Sequence, residues 1–309
     1  MPDKYRIASY GAEHELIDWD VTTAMPSWLS WNRHDYTIVN SNGIANDPDG
    51  RWWPYGGEVN TEPTNTVEAQ SYMLRKIPTL LLGADVNYRS NLHLHFHIPG
   101  LKEDLAMLKR IQRNIHECMP IVFEMCLPLP LPAPNEDEKL HKLNRLRFRR
   151  NKVSHRTLLP AKRLRDQMAA DTVQEFFAAE PPRGKKGQAL WHFQPRVCVN
   201  LRQLNETDTI EFRCFGGTMD PEQLFDAFQF CSGLLHNFMR TDNAISLTTN
   251  FCEGVAASKT INLPLVRPCD PELERGYQMT KHDGSIAKRE IQKNIGFILG
   301  KGGIRECFG

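Results

Sequence analysis

The sequence predicts an α+β fold, and three observations carry that prediction. Several short stretches alternate apolar and polar residues with a period of two, as half-buried antiparallel strands do. Other stretches place apolar residues at helical spacing. The two kinds do not follow one another in the regular strand–helix–strand order of a doubly wound sheet, so strands and helices are expected to segregate into layers.

The elements follow in chain order. "YRIASYGAEHELID" (5–18) alternates and reads as a strand, followed by a short one at "YTIVN" (36–40). A Gly/Asn/Asp/Trp loop then leads to a third strand in "EVNTEP" (58–63). "TNTVEAQSYMLRKIPTLLLGA" (64–84) reads as a helix capped by Thr64 or Asn65, with Pro78 set to break or kink it and Gly83 near its end. "SNLHLHFHIPG" (90–100) is a strand, and "GLKEDLAMLKRIQRNIHE" (100–117) a helix with Leu101, Leu105, Leu108 and Ile111 on one face. "LPLPLPAP" (127–134) contains four prolines, which remove backbone donors and mark an extended connection. The stretch 141–165 carries ten Lys and Arg and no acid, and "EPPRGKKGQ" (180–188) closes this middle segment as a loop. "RVCVNLRQL" and "TIEFRCF" predict a hairpin turning at Asn205–Asp208, followed by a helix in "DPEQLFDAFQFCSGLLHNFM" and another in "SIAKREIQKNIGFIL" (285–299).

Bulk properties exclude several classes. The 309 residues suffice for a well-buried core, and a net charge of +1 gives no global pull toward nucleic acid or membrane. There is no run of 18 apolar residues, and "MPDKYRIASYGAEHE" lacks the apolar core of a secretory signal, so no membrane partner is expected. Eight scattered cysteines without a C-x-x-C pair fit reduced, buried thiols and a cytoplasmic location.

The chemistry lies in the polar strand faces. Because successive strand residues point to opposite sides, His93, His95 and His97 share one face while Leu92, Leu94, Phe96 and Ile98 share the other. Glu13 and Glu15 share a face, as do Glu58, Asn60 and Glu62, and as do Glu211 and Arg213 opposite Ile210, Phe212 and Cys214. Solvated faces favour Thr, Lys and Ser; these carry Glu-x-Glu, His-x-His and Glu-x-Arg instead. If the strands are neighbours, their carboxylates crowd one surface, which is costly unless divalent cations neutralise them. Oxygen-rich sites with one or two imidazoles suit Mg²⁺ or Mn²⁺. A Walker A motif is absent, and "GKGG" (300–303) lacks its spacing.

Five blocks, in order, are similar to one family. "TIEFRCFGGTMDPEQLFDAFQFCSGLL" resembles the conserved stretch of the amidoligases in the glutamine synthetase and glutamate–cysteine ligase superfamily, in particular their phage and fungal branch. "GAEHE" is similar to that family's first-strand Glu-x-Glu, "GGEVNTEP" to its following strand, "SNLHLHFH" to its Gly-Leu-His-Val-His strand, and "RVCVNL" to a further strand ending in asparagine. The blocks cover 6–17, 55–64, 90–98 and 195–240. The resemblance implies one domain over 1–309, with the Pro-rich connection at 127–134 and a basic insertion at about 135–190. It implies a glutamine synthetase-like curved antiparallel sheet with a polar concave face and helices behind. It also implies an ATP-dependent carboxylate–amine ligase that uses Mg²⁺ or Mn²⁺ and proceeds through an acyl phosphate. By position it assigns metal ligation to Glu13, Glu15, Glu58, Glu211 and one of His93 or His95, places Arg213 on the phosphate or the substrate carboxylate, and puts Asn200 and Arg196 against substrate. Glu62 is a candidate to deprotonate the incoming ammonium. Three residues depart from the pattern: Asn91 stands where glycine is usual, Cys198 where a small residue is usual, and His97 is an extra imidazole.

Two other readings compete. His-x-His on a strand also opens zinc hydrolase sites, but those need later His and Asp ligands where this chain offers Glu211 and Arg213. The basic 141–165 segment would suit nucleic acid, either in a binding module or as an arm that delivers a polyanionic substrate to a ligase cleft.

Overall fold

The computed structural model describes residues 4–17, 24–32, 56–86, 90–126, 158–159, 161–179, 197–240, 250–255, 261 and 263–264. Among these, six strands form one open antiparallel sheet: β1 (Ser9–Ile17), β2 (Leu29–Asn32), β3 (Gly56–Thr61), β4 (Asn91–His97), β5 (Val199–Asn200) and β6 (Thr209–Gly216), in the spatial order β2-β3-β1-β4-β6-β5. The main helices are α1 (Val67–Leu80), α2 (Leu105–Met125), α3 (Ala161–Ala169), α4 (Val173–Ala178), α5 (Gln203–Thr207) and α6 (Pro221–Met239). The mixed α+β architecture expected from the sequence is therefore present, with β1 and β4 at the centre of the sheet.

One face of the sheet is the core. Leu92, Leu94 and Phe96 of β4 lie beside Val59, Leu16, Ile210 and Phe212, all fully buried, and pack with Leu74 and Ile77 of α1, Leu108 and Ile111 of α2, and Leu224 and Phe228 of α6. Period-two alternation puts these side chains on one side and leaves Glu13, Glu15, Glu58, His93, His95 and Glu211 on the other. An aromatic cluster anchors the seam. The Phe96 ring meets Phe212 edge-on at 5.5 Å and stacks on Phe228 at 6.0 Å, while Tyr10 meets Phe228 edge-on at 5.4 Å.

The helix ends differ from the sequence reading in instructive ways. The N-cap of α1 is Thr66, whose hydroxyl accepts from the Ala69 N–H, rather than Thr64 or Asn65; the Thr64 hydroxyl instead bonds Gln70 and the Thr66 carbonyl. Pro78 stays inside α1. It falls in the last turn, where one lost backbone bond ends the helix two residues later instead of breaking it. Asp220 caps α6 as its carboxylate accepts from the Glu222 and Gln223 N–H groups, with Pro221 at the first helical position.

Other differences concern whole elements. Residues Asn205–Asp208 are not a simple hairpin turn: β5 and β6 are joined by the short helix α5, closed by Asp208 in the left-handed region at φ 56°. The strand β2 was not expected, because four residues with one apolar–polar cycle carry too little periodicity to be read. Helices α3 and α4 occupy part of the stretch read as a basic insertion, α4 closed at its start by a Thr172–Glu175 capping box. The strand at 36–40, the connection at 127–134, the loop at 180–188, the helix at 285–299, "GKGG" and most of 141–165 lie outside the described residues. Six cysteines (Cys118, Cys126, Cys198, Cys214, Cys231 and Cys252) are buried free thiols. Among the described residues no helix is long and apolar enough to cross a membrane.

Candidate functional site

Strand register gathers the polar residues into rows that cross the sheet. Glu13 faces Asn60 on β3 and His93 on β4. One row along, Gly11 faces His95, His95 faces Glu211, and Glu211 faces Asn200 of β5. On the other side of the Glu13 row, Glu15 faces Glu58. The four strands whose faces looked unusual in sequence are thus consecutive neighbours, with their unusual faces on the same side.

A β-bulge shapes one end of the site. Leu92 pairs with Phe215 but Leu94 pairs with Phe212, so Arg213 and Cys214 together oppose the single residue His93. Strict alternation would have put Phe215 beside Glu211 on the polar face. The extra residue re-phases β6 and returns Phe215 to the core, where it is fully buried. Beyond it the Gly217 N–H donates to the Ser90 carbonyl at 2.8 Å. A Cβ at position 217 would lie 2.7 Å from that of Ser90, so only glycine permits this approach.

The contacts are dense. Glu13 stands between two imidazoles, its carboxylate 3.0 Å from His93 Nδ1 and 3.1 Å from His95 Nε2. His93 Nδ1 also lies 3.6 Å from Glu211. Glu211, buried at 1 % exposure, accepts from Arg213 Nη1 on one oxygen and from Asn200 Nδ2 on the other, each at 2.8 Å. Glu15 accepts from Asn91 Nδ2 at 2.6 Å. Ligand atoms of Glu13, His95 and Glu211 all fall within 4.8 Å of one another.

The electrostatics follow from this packing. Burial alone would push the Glu13 carboxyl up, but hydrogen bonds from His93 and His95 outweigh it and hold the group well below the usual carboxylate range. Burial likewise opposes ionisation of Glu211, and the Arg213 charge, helped by the two histidines, pulls it down. His95 is raised: burial disfavours its cation, yet the hydrogen bond to Glu13 and that anion's charge prevail. Glu58 is pushed up to about 7 by burial and then by the negative charge of Glu13. The Glu13 and Glu211 carboxylates are thus held ionised, the state in which a carboxylate can ligate a cation. Two carboxylates and an imidazole this close are a donor set suited to Mg²⁺ or Mn²⁺.

The structure therefore brings together Glu13, His93, His95, Glu211, Arg213 and Asn200, with Glu15 and Glu58 in the next row. Glu62 lies just beyond β3, exposed, its backbone N–H donating to the Trp28 carbonyl. Arg196 lies outside the described residues. Sequence reading gave two residues no role here. Asn91 was noted only as a departure from glycine, and its amide holds Glu15. His14, between the two glutamates of "GAEHE", points to the core side, where it is fully buried and its Nε2 accepts from the Thr218 N–H at 3.3 Å. Burial, then the nearby His93 charge, holds the His14 imidazole neutral, down to about 3.

No protein-family profile matches the chain, and no curated protein matches it. Among solved structures it is similar to a glutamate–cysteine ligase of Francisella tularensis in complex with AMP, at 12 % identity and a TM-score of 0.39, over 96 % of this chain and 83 % of that one. A likeness at that level carries no argument about fold or activity. The fold and site themselves define an α+β protein with a carboxylate–imidazole–guanidinium cluster on one face of an antiparallel sheet.

Proposed function

We propose that this protein is an ATP-dependent carboxylate–amine ligase working through an acyl phosphate. The supporting observation is the placement of Glu13, His95 and Glu211 within 4.8 Å of one another with Arg213 alongside, on neighbouring strands that carry the amidoligase-like motifs in order. Glu13, His95 and Glu211 are the residues we assign to hold a divalent cation. A bound Mg²⁺ or Mn²⁺ would neutralise phosphate charge.

The chain's own residues supply position and charge. Arg213 presents a planar fork of donors, suited to a phosphoryl or carboxylate group, while remaining anchored at Nη1 by Glu211. The fully buried apolar face beneath fixes the strands, so the polar groups are held in place before substrate arrives.

In the reaction we assign, a substrate carboxylate oxygen attacks the γ-phosphorus as the bond to the ADP oxygen breaks. The amine nitrogen then attacks the acyl carbon, the carbon–oxygen bond to phosphate breaks, and phosphate leaves with one original carboxylate oxygen. Incubation with ATP, Mg²⁺ and pooled acids and amines should give a product lighter by one water than the sum of two pool members. Acid labelled with ¹⁸O in its carboxylate should give labelled inorganic phosphate and ADP. Label in AMP, or amide formation without nucleotide, would sink the assignment. Turnover by hydrolysis without ATP would favour the zinc hydrolase reading.

A further inference from the structure

We infer that Asn200 is a positioning residue for Glu211 and not a substrate ligand. The inference rests on the metal-binding part of the function proposed above and departs from the role that resemblance gives this asparagine.

Both ends of the Asn200 amide are committed. Its Oδ1 accepts from the Arg202 backbone N–H at 3.1 Å, and its Nδ2 donates to Glu211 Oε2 at 2.8 Å. A backbone N–H can only donate, so the end facing Arg202 must be the carbonyl oxygen and the end facing Glu211 must be the NH₂. The amide cannot flip without losing both bonds. It therefore acts as a rigid donor set by the main chain at the start of α5 and aimed across the β5–β6 pair, where Asn200 and Glu211 are direct partners.

Glu211 needs such a donor. Arg213 holds its Oε1, and without Asn200 the carboxylate could rotate about its last torsion around that single anchor. With both oxygens tethered, the carboxylate plane is fixed, and it is fixed where its atoms lie within 4.8 Å of ligand atoms of Glu13 and His95. Partners of this kind orient metal-ligating carboxylates, and their loss typically costs about tenfold to a hundredfold in metal affinity.

The test measures Mn²⁺ affinity by electron paramagnetic resonance of the free ion, without substrate. Asn200→Leu keeps the branched shape and removes the donor. Arg202→Pro leaves Asn200 in place and removes the N–H that sets it; residue 202 has φ −62°, which proline adopts. The conservative core variant Phe96→Leu serves as a folding control, since lost stability alone should not change the affinity of the folded protein. We expect Asn200→Leu to weaken Mn²⁺ binding about tenfold to a hundredfold, Arg202→Pro to weaken it less, and Phe96→Leu to leave it unchanged. Wild-type affinity in both site variants, with the KM for the carboxylate substrate raised in Asn200→Leu, would overturn the inference and return Asn200 to substrate binding. Failure of the wild-type protein to bind Mn²⁺ would instead remove the metal reading itself, and this inference with it.

Discussion

Glu211→Gln should be much more damaging to the fold than Glu13→Gln, although both remove one negative charge from the same cluster. Glu211 is 1 % exposed and accepts from a different donor on each oxygen, Asn200 on one and Arg213 on the other. A glutamine amide has one accepting end and one donating end. Whichever way it turns, one bond is lost and its NH₂ is set against a second donor. A lost charge-assisted bond costs about 1.5–3 kcal/mol and a stranded buried donor about 1–3 kcal/mol more. Arg213 keeps 19 % exposure and can recover some solvation, so the lower part of each range applies and the sum is about 3 kcal/mol. Glu13 is different. Its partners are imidazoles, and His95, whose cation Glu13 favours, can lose a proton once that charge is gone and accept from an amide; with the Glu13 side chain 32 % exposed, the same change should cost about 1 kcal/mol. Urea unfolding at neutral pH in the presence of a chelator reads the difference as a shift of midpoint at constant slope. In the ligase reading, turnover falls by about two to three orders of magnitude in both variants. Equal stability of the two variants, or a larger loss in Glu13→Gln, would refute the wiring of Glu211 by Asn200 and Arg213.

Two further predictions concern the body that carries the site. Phe96→Ala removes the ring shared by Phe212, Phe228 and Tyr10 and should cost about 3–5 kcal/mol, with Mn²⁺ affinity per folded molecule unchanged. His116, buried in α2, is held down to about 4 by burial, against an ordinary 6.5. As pH falls the unfolded chain takes up a proton before the folded one. The stability contribution is therefore complete above pH 6.5 and is lost as pH falls from there through about 4. At 1.36 kcal/mol per unit the difference amounts to about 3 kcal/mol, and His116→Gln should flatten that part of the stability profile in urea titrations across the window. A wild-type profile already flat there would refute it.

Much of this site is visible in sequence because face assignment in a strand is local. Alternation around His93 and His95, around Glu13 and Glu15, and around Glu211 tells which side chains share a side without reference to any partner strand. That is enough to separate core from site, and the structure keeps the separation for all of them. What alternation cannot give is register, which pairs residues far apart in sequence through the whole sheet. The Asn91–Glu15 bond spans 76 positions and exists only because β4 pairs with β1 in one register, so position 91 looked like a mere departure from glycine. His14 shows the same limit. Its place on the apolar face was implicit in the alternation, but the Thr218 N–H that satisfies it lies 204 positions away and only the fold brings it there.

The bulge in β6 is where local reading and structure part, and it explains why Phe215 stays out of the site that Glu211 and Arg213 share. In a regular antiparallel pair each residue of β6 would face one residue of β4, and the alternation of "TIEFRCFG" would place Glu211, Arg213 and Phe215 together on the polar side. A phenylalanine there would remove water from Glu211 and Arg213 while offering them no hydrogen bond, a costly setting for two charged groups. Inserting one residue opposite His93 restores Phe215 to the core opposite Leu92 and leaves Glu211 and Arg213 as the polar residues of the strand. Bulges bend a strand and redirect its side chains. Here the redirected residue is Phe215, while Arg213 stays on the polar side, its guanidinium reaching back two positions to Glu211 at 2.8 Å and its backbone N–H donating to the Cys198 carbonyl, which ties the bulge to the β5 side. Arg213 is therefore held twice, its guanidinium by Glu211 of its own strand and its backbone by the Cys198 carbonyl on the β5 side.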